Sequence, residues 1–272
     1  MKDIKNKTAL ITGGASGLGL SLAKELAEEN CQIILIDIDS NALQRAEEYF
    51  SLRGITIDCY VVDVSNRKTV LSTVDAILKK HNTIDILINN AGVAAPASIN
   101  DISFDNLEWV MGINFWGVIH FTKAILPHML QRDQGCIVNI SSLGGYVTVP
   151  NSGIYSASKY AIRAISETLR QEVYGTGIDI VSVHPGGLST DMVLRARIGD
   201  SMPKDTLLKA VNQHSLTTPE KAASIIVNAI KKNQFRVIIG IDAKILCFFE
   251  RIMPLLTNTF MVKLYNYLTS KK

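Results

Sequence analysis

"TALITGGASGLGLSLAKELAEEN", Thr8 to Asn30, is the stretch that decides the fold. Thr8–Thr12 is a short apolar, β-branched run that ends at glycine, the mark of a buried strand. The residues from Gly17 onward read as a helix. Between them lies "GGASGLG", with glycines in the pattern GxxxGxG where most dinucleotide folds have GxGxxG. Gly13 lets the chain turn tightly, Gly17 permits close approach of a pyrophosphate, and Gly19 lets the helix pack on the sheet. The free N–H groups near Ser16, Gly17 and Leu18 then face the phosphates.

The same unit recurs along the chain. "CQIILID" precedes "NALQRAEEYFSLRG", "ITIDCYVVDV" precedes "NRKTVLSTVDAILKKH", and "IDILINNAG" precedes a helical region from about Phe104 to Leu130. "GCIVNISS" leads into the helix that holds Tyr155, and "IDIVSVHPG" ends at a loop. "TTPEKAASIIVNAIKKN" is a helix with Thr218 as N-cap and Pro219 at its first position, and Arg236–Gly240 is a seventh strand. Continuously apolar strands, each followed by a helix, predict a parallel sheet covered on both faces. Right-handed crossovers make it a single Rossmann-like, doubly wound α/β domain of about seven strands. We place that domain at residues 1–241 and an apolar, basic helical tail at 242–272.

Asp37 stands at the end of the second strand, 18 residues beyond Gly19. A carboxylate there accepts hydrogen bonds from ribose hydroxyls and repels a 2′-phosphate. Its neighbours Ile38, Asp39 and Ser40, and Ala15 and Ser16 in the loop, supply no arginine. NAD is therefore expected over NADP. The alternative use of Asp37 is as a turn residue before the next helix.

The bulk composition excludes several other classes. The 272 residues are 47% hydrophobic and 19% charged, so the chain buries a sizeable core. A net charge of +3, with no basic stripe interleaved with aromatics, argues against nucleic acid. Cys31, Cys59, Cys136 and Cys247 are scattered singly and read as small core residues of a reducing compartment, without metal or disulfide. The N-terminus lacks the apolar stretch of a leader, and no run of about 18 apolar residues spans a bilayer. The expected location is the cytoplasm.

Tyr155 and Lys159 lie four residues apart in "GIYSASKYAIRAISETL", so both leave one face of a helix. With them in view the chain resembles the short-chain dehydrogenases/reductases from about Lys7 to Gly240. The resemblance rests on Thr12-Gly13-x-x-x-Gly17-x-Gly19, Asp63, Asn89-Asn90-Ala91-Gly92, Asn114, Ser142, Tyr155-x-x-x-Lys159 and Pro185-Gly186, in that order. It implies that Tyr155 is the general acid–base, with a phenol brought down from about 10 by the neighbouring ammonium. It also implies that Lys159 holds the nicotinamide ribose, that Ser142 hydrogen-bonds the substrate oxygen, and that Asn114 holds a helix distortion and a proton-relaying water.

By the same resemblance Asp63 and Val64 meet the adenine, and Asn90, Ala91 and Gly92 pass along the adenosine and ribose. Pro185, Gly186, Leu188 and Thr190 clasp the carboxamide and pyrophosphate. His184 and His128 are expected to be structural. Substrate identity belongs to Val93–Ser98, Leu143–Gly153 and Thr190–Ser215, the last read as a lid with Gly199 and Pro203 as its punctuation. The lining candidates Val93, Leu143, Tyr146, Val149, Pro150 and Met192, beside Ser142 and Tyr155, are mostly apolar. They predict a lipophilic secondary alcohol or ketone, while Arg195 and Arg197 are either solvated or meet an anionic group. The alternatives are an NADPH-linked ketoreductase of carrier-linked acyl chains and a catalytically silent, membrane-associated binding protein of the same fold. The resemblance implies a homodimer or homotetramer built on the helices bearing Asn114 and Tyr155.

The tail departs from that pattern. From Ala243 it carries Lys244, Arg251, Lys263, Lys271 and Lys272 against Glu250 alone, a net +4 that leaves −1 for the rest. It is read either as a cover for the cleft or a subunit interface, or as a pair of amphipathic helices in peripheral contact with an anionic membrane.

Overall fold

The computed structural model describes residues 1–188, 196–197 and 217–270. Seven parallel strands form one sheet in the order β3-β2-β1-β4-β5-β6-β7. They are β1 (Thr8–Thr12), β2 (Gln32–Asp37), β3 (Asp58–Val61), β4 (Ile86–Asn89), β5 (Gly135–Ile140), β6 (Ile178–Pro185) and β7 (Arg236–Ile239). Successive side chains point to opposite faces of a strand. Leu10, Ile34, Ile36, Leu87 and Ile137 accordingly pack under α3 (Arg67–His81), α5 (Gly117–Arg132) and the end of α6 (Gly153–Glu172). Ile11, Ile33, Leu35, Ile88 and Val138 pack under α1 (Gly17–Glu28), α2 (Ser40–Ser51) and α7 (Pro219–Lys231). Apolar residues at both strand parities thus fill two cores, one on each side of the sheet.

The strand order reverses between β1 and β4, which opens a crevice at their carboxyl ends. Two boundaries differ from the sequence expectation. The third strand, expected over Ile55–Val64, pairs only at Asp58–Val61, because β3 is an edge strand with β2 as its single neighbour. The helix expected from Phe104 is interrupted: α4 (Phe104–Met111) passes through a π-helical turn at Gly112–Trp116 before α5 begins. Thr218 caps α7 by accepting from Lys221 N at 3.3 Å.

The cysteines are free, and burial pushes the thiols of Cys31, Cys59 and Cys136 up to about 12 and that of Cys247 to about 11. Beyond β7 the tail forms α8 (Ile241–Ile252) and α9 (Pro254–Ser270), broken at Pro254, which cannot continue the preceding helix. Among the described residues no helix is long and apolar enough to cross a membrane.

Candidate active site

The loop after β1 is held by its neighbours. Gly13 and Gly17 have φ of +61° and +51°, values that side chains disfavour. A Cβ on Gly19 would overlap the Gly13 carbonyl oxygen and lie 2.7 Å from Asn90 Nδ2. Gly19 is therefore required by its own loop, not by the sheet as the sequence suggested. Asn90 Nδ2 donates to the carbonyls of Thr12 and Gly13, each at 3.0 Å, while Thr12 Oγ1 accepts from Asn90 N and Ala91 N. Asp37 is buried, and its two oxygens accept from Ala15 N and Asp39 N, each at 3.1 Å.

The other end of the crevice is built by β4, β5 and α6. The buried Asn114 side chain accepts from Val93 N at 2.8 Å and donates to Val93 O and Ser158 Oγ, each at 3.0 Å. Its polar atoms are thus satisfied inside the π-helical turn, a feature common at functional sites. Ser142 Oγ accepts from Gly144 N at 3.0 Å, and Lys159 Nζ donates to Ile140 O at 3.0 Å. Lys159 Nζ lies 5.7 Å from the centre of the Tyr155 ring. Burial pushes the Tyr155 phenol above its usual value, partly offset by a hydrogen bond with Ser142. Burial brings the Lys159 ammonium down to about 8. The expected lowering of the phenol by Lys159 is not met: burial of the ring dominates, and the counteracting contribution comes from Ser142.

These two ends share one cleft of about 400 Å³. Of the sequence-expected residues it is lined by Gly13, Ser16, Gly17, Leu18, Asp37, Ile38, Asp63, Val64, Asn90, Ala91, Gly92, Val93, Ser142, Tyr155, Lys159, Pro185, Gly186 and Leu188. Gly19 and Asn114 support it from behind. Leu143, Tyr146, Val149 and Pro150 are not among its lining residues. Tyr146 instead packs edge-on against buried His184, ring centres 4.8 Å apart, with the Arg163 guanidinium 3.9 Å from its ring centre. Cation attraction and burial draw that ring behind the site. Thr190, Met192, Arg195, Gly199 and Pro203 lie outside the described residues.

Sequence reasoning missed Val62, Trp109, Ile113, Ile140 and Ser141 in the lining. It also missed a buried polar chain beneath the cleft. Asn89 Nδ2 donates to Thr122 Oγ1 and to Asn139 Oδ1, whose own amide donates to Ser166 Oγ. The available signal was an asparagine at the end of each of two successive strands, which the register pairs directly.

The cleft fits a dinucleotide. Glycine N–H groups open α1 at one end, and a carboxylate closes the second strand beside them. At the other end a Cβ on Gly92 would come within 3.4 Å of Lys159 Nζ and 3.5 Å of Asn114 Oδ1, so its absence keeps space in front of the lysine.

The short chain dehydrogenase family model matches residues 7–200. A Mycobacterium tuberculosis protein that carries the oxidoreductase name SadH is 36% identical over 256 residues, 93% of each chain. A Drosophila melanogaster dehydrogenase/reductase SDR family protein 7-like is 31% identical over 96% of this chain and 81% of its own. Among solved structures, a short chain dehydrogenase/reductase from Burkholderia phymatum in complex with NAD superposes with a TM-score of 0.86 at 27% identity, covering 94% of this chain and 96% of that one. A short-chain dehydrogenase from Streptomyces avermitilis gives 0.82 at 26% identity, covering 93% and 96%. A family match across most of the chain, a relative alike along nearly its full length, and a fold shared with solved members place this chain in the short chain dehydrogenase family of oxidoreductases.

Proposed function

We propose that the protein interconverts an apolar secondary alcohol and its ketone, with Tyr155 exchanging the proton and NAD as the preferred cofactor. The observation that carries this reading is the meeting of Tyr155, Lys159 and Ser142 in the cleft whose far end holds the glycine loop and Asp37. When bound, the nicotinamide cofactor supplies the hydride chemistry and, in its oxidised form, a positive charge. Ser142 Oγ, fixed by Gly144 N, orients the substrate oxygen towards the phenol. Lys159 is a buried cation whose one protein acceptor is a backbone carbonyl, which leaves ammonium protons for ribose hydroxyls. Its charge favours the phenolate, while burial disfavours it.

Asp37, and the absence of a cation at the adenosine end among the described residues, support NAD over NADP. Among the described residues that line the cleft, Lys159 is the single basic one, and it sits at the catalytic end. That distribution counts against the NADPH-linked ketoreductase alternative. Val93, Trp109, Ile113 and Ile140 make the catalytic end apolar, which supports a lipophilic substrate. Exposed Phe104 and Trp116, on α4 and the π-helical turn, support self-association through that face.

The test is Tyr155→Phe assayed against a graded series of alcohols and ketones with both cofactors. Turnover is expected to fall by a factor of about 10³ or more, with NADH affinity within about twofold of wild type. Retained turnover would remove Tyr155 from the role, and no turnover by the wild type on any substrate would favour a silent binding protein.

A further inference from the structure

A helix packed on a globular surface ordinarily turns its apolar face inward and its polar face to water. α8 and α9 depart from this by leaving their largest apolar side chains outside. α8 buries the small residues Ala243 and Cys247, four apart on one face, and exposes Ile245, Phe248 and Ile252, spaced as a stripe along another. α9 buries Thr257 and Met261 and exposes Leu255, Leu256 and Phe260. Leu255 is 83% exposed and Phe248 60%, so these large side chains lie mostly in solvent. Covering the cleft alone does not account for them; a subunit interface, the other expected role, or a membrane would.

Lys244, Arg251 and Lys263 are exposed on the same two helices, whereas the acids of α8 are partly withdrawn, Asp242 being bonded to Gly187 N and Glu250 half-buried. Two copies joined symmetrically through this face would gather two cation sets of the same sign into one interface. An anionic bilayer offers the complement to both components, acyl chains for the apolar stripe and headgroups for the cations. We propose that α8 and α9 form a peripheral docking face for an anionic lipid membrane.

The face is fixed to the rest of the protein at both ends. Asp242, in the first turn of α8, accepts from Gly187 N at 3.1 Å, and Asn151 donates to the Tyr265 hydroxyl at 2.6 Å. These contacts tie the two helices to the segments that carry Gly187 and Asn151. The inference stands apart from the catalytic reading, because docking is measured without turnover.

The experiment is co-sedimentation of the full chain with vesicles of phosphatidylcholine alone and with about one third phosphatidylserine. Binding is expected to the anionic vesicles and to weaken with salt. The triple variant Phe248→Ser, Leu255→Ser, Phe260→Ser is expected to lose at least about tenfold in partitioning. Reversing charge in Lys244→Glu, Arg251→Glu, Lys263→Glu should remove the phosphatidylserine dependence, roughly fivefold per cation. Far-ultraviolet circular dichroism and NADH binding, measured on each variant, separate loss of the face from loss of the fold. Wild type that stays in the supernatant with both vesicles overturns the proposal. So does equal partitioning of a folded apolar variant. A wild-type dimer that the apolar variant converts to monomer, with no vesicle binding, would assign the face to a second copy.

Discussion

The backbone N–H of Gly187 donates to Asp242 Oδ2 at 3.1 Å, tying the loop after β6 to the first turn of α8. The same carboxylate occupies the space a Cβ would need on Gly186 and on Gly240, while its other oxygen, Oδ1, is buried without a donor among the described residues. Pro185 and Gly186 line the cleft, so Asp242 is a positioning residue for one of its walls.

Asp242→Ala is therefore expected to raise the KM for the nicotinamide cofactor by about fivefold to tenfold, the worth of one hydrogen bond, with kcat changed less than about twofold. Asp242→Asn keeps an oxygen for Gly187 N–H and should restore most of the loss. Steady-state kinetics decide it: an unchanged KM in the alanine variant would make the contact incidental.

Asp37 is predicted to set cofactor preference and loop geometry together, since its carboxylate already binds Ala15 N and Asp39 N. Asp37→Ala should narrow the ratio of kcat/KM between NAD and NADP by about tenfold or more, and should weaken NAD as well, because the loop loses an acceptor. A ratio that does not move would break the assignment.

The buried ammonium of Lys159 should cost stability. Its folded pKa of about 8 lies below the free value of 10.5, so the cost is fully present below pH 8. Between pH 8 and 10.5 the unfolded chain binds more protons, and wild-type stability rises with pH. Lys159→Met is expected to abolish turnover yet raise the unfolding free energy at pH 7 by about 2 kcal/mol, an advantage that shrinks by pH 10. Urea titrations at the two pH values check both signs.

His184 gives the opposite side of the pH range. Burial lowers its pKa from 6.5 to about 4, and its Nε2 lies 3.0 Å from Ser182 Oγ. Between pH 6.5 and 4 the unfolded histidine takes up a proton that the folded one does not, so stability falls as pH falls through that window. His184→Asn should reduce the loss between pH 7 and pH 4.5 by about 2 kcal/mol, read from denaturation midpoints. An identical loss in the variant would place the acid sensitivity elsewhere.

The sequence by itself determined the alternation of strands and helices, the glycine loop, the carboxylate after the second strand and the order of the family residues. All of these are local in the chain. Glycine, turn and cap chemistry act within a few residues, and a parallel strand buried on both faces announces itself by unbroken apolarity. The tail's basic, apolar character was equally legible, down to its break at Pro254.

Tertiary structure alone decided which side chains the cleft keeps. Nothing in the spacing around Tyr146 says that Arg163 and His184 draw it behind the site, or that Trp109 faces in. Asn90 is spent on the β1 loop, 77 residues away, and Asp242 on Gly187, 55 residues away. The balance that lifts the Tyr155 phenol despite its lysine is likewise a matter of burial. Contacts of that reach arise when the sheet brings distant strand ends together, and desolvation depends on everything packed around a group; neither is written in the residues beside it.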